Sequence, residues 1–373
     1  MVRKQFLSFL LIFSLLFSCA SALAEADDDD DWDDNVDDAW EMEHPLHSGD
    51  YAYALLDDGT VEITSYGGAD TEIVIPDTLD GKPVTAIGER AFYYSLSLTS
   101  VTIPDSVTHI SQKAFSCCFQ LTSITLPSGL TAIESGTFDL CKSLTTIDIP
   151  DSVAAIADDA FIGCKALQSF TLSPNHPYFF LADDALCRTA DSALLLYPNA
   201  REPRTYRIPD GITAISAYAF YDCDLLESVV VPDSVTQLPA RAFSGCSALA
   251  SVSLPDSLTE IGTAAFSGCS ALTGIRIPAA ITEIINHTFS GCTSLATLEI
   301  PDSVTKIDDY AFFGCTSLTS IAIPDSVTAI GNGAFSNCTA LTLTVTPDSY
   351  AAEYAKANNI PYTYPDANDW LNN

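Results

Sequence analysis

The stretch "LTSVTIPDSVTHISQKAFSCCFQ", residues 98–120, is one copy of the repeat that decides the fold. Its "AF" dipeptide recurs at a constant spacing equal to the length of this copy, first at Phe92, Phe115, Phe138 and Phe161. After a gap the same spacing returns at six further positions: Phe220, Phe243, Phe266, Phe289, Phe312 and Phe335. A constant period in this range indicates stacked supersecondary units. Length alone suggests two domains for 373 residues, but the repeat overrides that estimate.

The first part of each copy has the pattern of a short strand. Apolar and polar residues alternate, so that Val101 and Ile103 point one way while Ser100 and Thr102 point the other. Pro104 ends the pattern, since proline has no N–H to donate to a continuing ladder. We therefore predict one parallel β-strand in each copy.

The second part of the copy has apolar residues at a spacing of three, as at Val107 and Ile110. This spacing predicts a turn or a short helix that closes the coil. One coil cannot bury its own apolar face, so its neighbours must do so. The sequence thus predicts an α/β repeat solenoid, a right-handed superhelix with a parallel β-sheet on the concave side and short turns or helices on the convex side. About eleven coils at ~4.8 Å would give a body ~50 Å long.

Two interruptions break the period. Five extra residues, "LDGKP", lengthen an early turn before Val84. A longer insertion separates Phe161 from Phe220, and in it two apolar runs flank the sequence "RTADS". These runs predict a β-hairpin insertion at about residues 173–207 that protrudes from or extends one coil.

Both ends of a solenoid expose an unpaired coil and need caps. Residues 51–75 predict an N-terminal capping β-hairpin with an Asp-Gly turn at residues 58–59. The repeats then occupy residues 76–346. An amphipathic helix and a last strand form the predicted C-terminal cap at residues 347–364, and a tail follows at residues 365–373.

Residues 1–24 have the features of a signal peptide. Two basic residues precede an apolar run at residues 6–17, and an A-x-A type cleavage site follows at residues 22–24. The run is too short for a membrane span of ~20 residues, so no span is expected in the mature chain. An alternative is that "LFSC" is a lipobox, which would make Cys19 a lipid-modified N-terminus.

The next segment, residues 25–50, is predicted to be a disordered acidic spacer. Twelve acidic residues and no basic one lie between residues 25 and 43, and such a run repels itself. It lacks the glycine and glutamate register of an EF-hand. With 49 acidic against 15 basic residues, the whole chain should be repelled by nucleic acid and by anionic membranes.

The recurring word "LTSIxIPDSVTxIGxxAFxGCxxL" resembles the BspA-like leucine-rich repeat family of bacterial and protist surface proteins. The resemblance extends over residues 51–364. It implies a leucine-rich-repeat solenoid that is secreted or surface-exposed and has no enzymatic activity, and some relatives are associated with adhesion. We accordingly expect a monomer whose partner is a protein or glycoprotein. The chain ends at "DANDWLNN" without a cell-wall anchor, so free secretion is expected unless Cys19 is lipidated.

Most cysteines form a ladder three residues after the repeat phenylalanine: Cys118, Cys141, Cys164, Cys223, Cys246, Cys269, Cys292, Cys315 and Cys338. Each coil has one such cysteine without a second ligand beside it, which is a poor fit to a zinc site. Disulfides between neighbours satisfy the Cα separation, but the side chains would point the same way. We therefore predict buried packing, with free thiols that behave as small hydrophobes.

No motif for catalysis, a cofactor or a metal is evident, so the function should lie on a surface. One outward strand column varies between copies and is the candidate binding surface: Thr102, Thr125, Asp148, Thr171, Val230, Ser253, Arg276 and Glu299. A second candidate is the aromatic run of the insertion, Tyr178, Phe179 and Phe180. The column could equally be a merely soluble β-face, and the aromatics could simply pack the insertion onto the body.

Three functions remain open at this point. The first is a non-catalytic protein-binding or adhesion module at or outside the bacterial cell surface. The second is a structural or spacer component of the cell envelope without a specific ligand. The last is an exported enzyme with an unrecognised site, which no convergent polar group supports.

Mass spectrometry of the N-terminal peptide of the exported protein tests the predicted processing. Cleavage after Ala24 should give a mature chain that begins at Glu25, because the A-x-A site is intact. A lipidated Cys19 at the N-terminus would contradict this prediction and would show a tethered protein.

Overall fold

The computed structural model describes residues 45–202 and 204–365. The predicted signal peptide, most of the predicted spacer and nearly all of the tail lie outside these ranges. The described part is a mostly-β solenoid of about 13 parallel stacked turns with a single α-helix, so the predicted solenoid is confirmed but has more turns than the eleven or so expected. None of its helices is long and apolar enough to cross a membrane.

Each turn contributes one strand of three residues to a first layer of parallel strands, termed here the first-strand sheet, in which the strand pairing is interrupted at several places. In it, alternate side chains are buried, as for Val101 between the more exposed Ser100 and Thr102. Its strands are β4 (Glu72–Val74), β7 (Ser100–Thr102), β9 (Ser123–Thr125), β11 (Thr146–Asp148), β13 (Ser169–Thr171), β17 (Thr205–Arg207), β19 (Ser228–Val230), β21 (Ser251–Ser253), β23 (Gly274–Arg276), β25 (Thr297–Glu299), β27 (Ser320–Ala322) and β29 (Thr342–Thr344).

A second parallel sheet is built by the segment that the sequence predicts as a turn or short helix. This second-strand sheet was missed because most of its strands have only two residues and show no alternation. Its strands are β6 (Lys82–Ile87), β8 (His109–Ile110), β10 (Ala132–Ile133), β12 (Ala155–Ile156), β16 (Ala193–Leu196), β18 (Ala214–Ile215), β20 (Gln237–Leu238), β22 (Glu260–Ile261), β24 (Glu283–Ile284), β26 (Lys306–Ile307) and β28 (Ala329–Ile330).

The register between neighbouring turns equals the repeat period. Ser100 pairs with Ser123 in the next turn, 23 residues further along the chain. Thr146 pairs with Ser169 at the same spacing. Between the strands of the described repeats the chain forms no helix. The sequence predicts a turn or a short helix there, and the connections are turns.

The N-terminal strands begin earlier than predicted. The strands β1 (Leu46–Ser48), β2 (Tyr51–Leu55) and β3 (Val61–Tyr66) pair antiparallel, and Gly59 lies in the predicted turn between the last two. The predicted spacer therefore ends before residue 46, because β1 hydrogen-bonds to β2. The solenoid also starts before residue 76, since β4 already pairs parallel with β7. The extra residues "LDGKP" form a small antiparallel pair in which β5 (Thr78–Leu79) contacts β6.

The long insertion adds strands between two turns. The strands β14 (Phe179–Ala182), β15 (Ala185–Arg188) and β16 pair antiparallel in this order, and β16 then pairs parallel with β18. The hairpin around "RTADS" is thus β15–β16, and β14 is an additional strand that the sequence analysis missed. All four residues of β16 are buried. The predicted insertion to residue 207 is too long, because β17 is a regular strand that pairs with β19.

The C-terminal end of the solenoid departs from the repeat period. Strand β29 pairs with β27 through Thr342 and Ser320, a spacing one residue shorter than the repeat period. The helix α1 (Tyr350–Ala357) is capped at its N-terminus by Ser349, whose hydroxyl accepts a hydrogen bond from the N–H of Ala352. This N-cap arrangement is typical of serine. Strand β30 (Tyr362–Thr363) then pairs with β29, in the order predicted for the C-terminal cap.

The repeat phenylalanines form a stacked column inside the solenoid. The rings of Phe266 and Phe289 lie 5.7 Å apart at 3°, and those of Phe312 and Phe335 lie 5.3 Å apart at 1°. Aromatic pairs at such distances add to the stability gained by burial. Two tyrosines extend the column: Tyr66 stacks on Phe92 and Tyr197 on Phe220.

The backbone around each phenylalanine forms a ladder that links adjacent turns. The N–H of Phe266 donates to the carbonyl of Thr288 at 2.9 Å, and that of Gly268 donates to Ser290 at 2.7 Å. Gly268 has a φ of +75°, a conformation open to glycine without strain. Non-glycine residues in this region cost roughly 1–2 kcal/mol each.

Loss of one ring from the column should destabilise the solenoid strongly. Phe266 is fully buried between two stacked rings, so Phe266→Ala removes transfer energy and leaves a cavity. We expect a loss of about 3–5 kcal/mol in the free energy of unfolding, measured by urea denaturation. The neighbouring Ser267→Ala is the control and should change little. Equal stability of the two variants would contradict a structural role for the column.

Candidate functional site

The predicted binding column lies on the outer side of the first-strand sheet. Thr102 and Val230 are half-buried, whereas the other six predicted members are exposed: Thr125, Asp148, Thr171, Ser253, Arg276 and Glu299. Two further members were missed because their turns depart from the regular spacing. Val74 pairs with Thr102 and Arg207 pairs with Val230 in the same register.

Two shallow grooves open on this face. The first, of about 700 Å³, crosses β23, β25, β27 and β29, and Arg276 and Glu299 line it together with Thr344. The second, of about 600 Å³, crosses β17, β19 and β21. Arg276 also borders the second groove, so it is the residue that the two grooves share.

Charged side chains on this face are arranged in exposed pairs. Arg276 Nη1 donates to Asp256 Oδ1 at 2.6 Å, and Arg207 Nη2 donates to Asp210 Oδ1 at 3.2 Å. Arg276 reaches the aspartate of the preceding turn, because Ala279 stands in its own turn where neighbouring copies have aspartate. Exposed ion pairs contribute little to stability, so these groups remain available to a partner.

The aromatic run of the insertion does not form the exposed cluster that was predicted. Phe179 is buried, with 2% of its surface exposed, and Phe180 is half-buried against the core. Only Tyr178 is exposed, at 44%. The reason is that β14 is the first strand of a packed sheet, which leaves Phe179 inside the body. The alternative interpretation, in which the aromatic residues pack the insertion onto the body, therefore holds for Phe179.

The cysteine ladder lies in the core. Eight of its nine members are fully buried and Cys338 is half-buried, and all are free thiols. Each Sγ donates to a backbone carbonyl of the preceding turn, as from Cys269 to Phe243 at 3.1 Å and from Cys292 to Phe266 at 3.2 Å. The sequence analysis predicted burial but missed this donor role, which depends on the exact stacking of the turns.

Burial also controls the ionisation of these thiols. It raises the pKa of Cys118 and of Cys292 to about 12, so both stay protonated near neutral pH. Cys338 differs, because the neighbouring Cys315 side chain favours its thiolate and lowers its pKa below the ordinary value of 9.0. A thiolate is the reactive form of cysteine, so buried protonated thiols such as Cys118 and Cys292 should react far more slowly than Cys338.

Two pairs of adjacent aspartates, at residues 158–159 and 308–309, lie in loops and are engaged in local contacts. Asp159 accepts a hydrogen bond from Ser135 at 2.6 Å, and Asp309 accepts one from the N–H of Asn332 at 2.6 Å. Asp308 pairs with Lys306 at 3.0 Å. Within residues 45–202 and 204–365, no group of three histidine, cysteine or carboxylate side chains is placed to hold a metal ion.

Alkylation with iodoacetamide tests the ionisation of the ladder. In the native protein at pH 8, Cys338 should react first, because its pKa is lowered and its side chain is half-exposed. Raising the pH should not slow this reaction, since the thiolate fraction of Cys338 can only grow with pH. Cys292 should remain unmodified under both conditions.

Peptide mass spectrometry without denaturation measures the order of labelling. The denatured protein, in which all thiols should react alike, is the control. Several disulfide-linked repeat peptides before alkylation would contradict the prediction of free thiols.

Comparison with known proteins agrees with this architecture. A family model described as the BspA type leucine rich repeat region matches six copies, over residues 71–180 and 208–342. Among curated proteins, none matches this sequence. A leucine rich cell surface protein from Faecalibacterium prausnitzii is 31% identical, with a TM-score of 0.51 over 84% of this chain and 97% of that one.

Two more distant structures share the fold alone. A leucine-rich repeat protein from Eubacterium ventriosum is 24% identical with a TM-score of 0.60, over 78% of this chain and 93% of that one. The pneumococcal vaccine antigen PcpA is 16% identical with a TM-score of 0.52, over 87% of this chain and 99% of that one. The family model and the F. prausnitzii protein together cover the repeats described above, and the chain belongs to the BspA-type leucine-rich repeat family.

Proposed function

We propose that this protein is an exported, non-catalytic leucine-rich repeat protein that binds a protein or glycoprotein at or outside the bacterial cell surface. The first-strand sheet is the binding surface in this proposal. The observation that carries it is the outward column, whose exposed members differ from turn to turn on an otherwise uniform frame.

The grooves on this face support a polypeptide or glycan chain rather than a small molecule as the partner. Both grooves are open to solvent. They meet at Arg276, so together they form one face that crosses several turns. Arg276 and Glu299 lie in adjacent paired strands and present opposite charges. Solenoids use extended surfaces of this kind for binding.

Export and surface exposure remain part of the proposal. The signal-peptide pattern in residues 1–24 supports export, and the family consists of bacterial surface proteins. The F. prausnitzii relative is itself described as a cell surface protein. A structural component of the envelope without a specific ligand is the alternative, and it requires no particular residue in the outward column.

A pull-down with the mature protein tests specific recognition. Matrix proteins of a host and surfaces of co-resident microbes are the baits, and bound protein is quantified by immunoblot. We expect capture by at least one bait, reduced roughly tenfold or more by the triple variant Asp148→Ala, Arg276→Ala and Glu299→Ala.

The control is the double variant Glu260→Ala and Glu283→Ala. These exposed glutamates lie in the second-strand sheet, so their loss should leave capture unchanged. Capture that survives the triple variant would contradict recognition through the first-strand sheet. Absence of any capture would favour the structural alternative.

A further inference from the structure

A second surface with unusual residues lies beside the phenylalanine column in the first three complete turns. Two positions of each turn form it, namely those two and four residues after the repeat phenylalanine. We call these six side chains the lateral array: Tyr94, Cys117 and Leu140 in one column, and Leu96, Phe119 and Lys142 in the other.

The same two columns hold only small or polar residues in the later turns. The first holds glycine at four successive turns: Gly245, Gly268, Gly291 and Gly314. The second holds small hydroxyl residues there: Ser247, Ser270, Thr293 and Thr316. The repeat itself therefore needs neither aromatic nor aliphatic side chains at these positions.

The first column keeps its backbone geometry despite the larger residues. Tyr94, Cys117 and Leu140 have φ values of 62°, 62° and 58°, in the region that favours glycine. Their N–H groups still donate to the next turn, as from Cys117 to Asp139 at 2.8 Å. Non-glycine residues adopt the same conformation at Asp222 and Asn337 in this column, so the array is distinguished by the size and apolar character of its side chains and not by its backbone angles.

Tyr94, Leu96 and Lys142 are exposed members of the array, Phe119 and Leu140 are half-buried, and Cys117 is buried beneath them. Tyr94 is 37% and Leu96 46% exposed, and the adjoining Tyr93 is 49% exposed. The ring of Tyr94 meets that of Phe119 edge-on at 5.6 Å, and Lys142 Nζ lies 4.7 Å from the centroid of Phe119. Contiguous apolar surface of this kind marks an interaction site in a soluble protein.

Two lysines stand at the array, in a chain that is strongly acidic overall. Lys142 belongs to the array and Lys113 lies two residues before Phe115, and neither makes an ion pair in the part of the chain that the structure describes. The nearby carboxylate Asp139 accepts a hydrogen bond from Ser116 at 3.4 Å. In a protein with 49 acidic residues, two unpaired lysines beside exposed aromatic rings are complementary to an acidic partner.

We propose that the lateral array is a docking surface for an acidic polypeptide segment that carries apolar side chains. Leu96 and Leu140 offer branched aliphatic surface, which suits apolar side chains. The edge-on arrangement of Tyr94 and Phe119, at 74°, does not offer the flat platform on which a sugar ring would stack. The lysines then pair with carboxylates of the bound segment.

Fluorescence anisotropy with the mature protein tests this proposal. The probe is a labelled synthetic peptide of aspartate, glutamate, leucine and tryptophan. The array variant combines Tyr94→Gly, Leu96→Ser and Phe119→Ser, the residues of the later turns, and should bind the probe at least roughly tenfold more weakly. Its melting temperature should not fall, because Tyr94→Gly relieves the left-handed backbone.

A charge variant, Lys113→Gln with Lys142→Gln, keeps the packing and gives a second measurement. It should weaken binding at low salt and reduce the salt dependence, because exposed charges are screened by ions. The matched control, Ser247→Ala with Ser270→Ala, changes the second of these columns in later turns and should bind like the parent. The Arg276→Ala variant of the first-strand sheet should also bind the probe normally.

Three results would overturn the proposal. One is the absence of probe binding to the parent protein. Another is that the array variant and the charge variant bind the probe as tightly as the parent does. The third is tighter binding of polygalacturonate, an acidic polysaccharide, with displacement of the peptide. If the array variant melts below the parent, the charge variant decides.

Discussion

Every turn of this chain returns to the same point after one repeat period, and the remaining structure depends on that register. The return places one benzyl ring over the next and aligns backbone N–H groups with carbonyls of the following turn. The first-strand sheet, the second-strand sheet and the thiol contacts all follow from it. An extra residue in one turn would displace all of these at once, so the extra residues that do occur are confined to two loops where they form strands of their own.

The sequence carries most of the fold but only part of the surface. Alternation in segments such as residues 98–104 predicts the first strands, and the repeat period predicts their parallel register. The second strands were not predictable in this way, because two residues cannot show a period. Tyr66 and Tyr197 were missed as members of the ring column, since each lies in a turn whose local spacing is altered. The aromatic run at residues 178–180 misled for the opposite reason, because hydrophobicity alone does not tell a protruding strand from an internal one.

The candidate surfaces were accessible to sequence reasoning to different degrees. Outward strand residues such as Arg276 and Glu299 follow from alternation, and their exposure agrees with that inference. The lateral array occupies fixed positions of the repeat, but its contacts do not follow from the period. The structure adds that the ring of Tyr94 meets that of Phe119 and that Lys142 lies over the same ring. The cysteines are a third case, because composition predicts their burial while their carbonyl partners depend on the stacking of adjacent turns.

The inserted sheet divides the interior of the solenoid. Leu186 and Leu195 belong to one buried cluster together with the early turns, while Cys187 and Leu194 belong to another with the later turns. Repeat arrays gain their cooperativity from contacts between neighbouring turns, and here the two clusters meet at the strands of the inserted sheet. A loss of packing in this sheet would accordingly weaken the coupling between the early and the later turns.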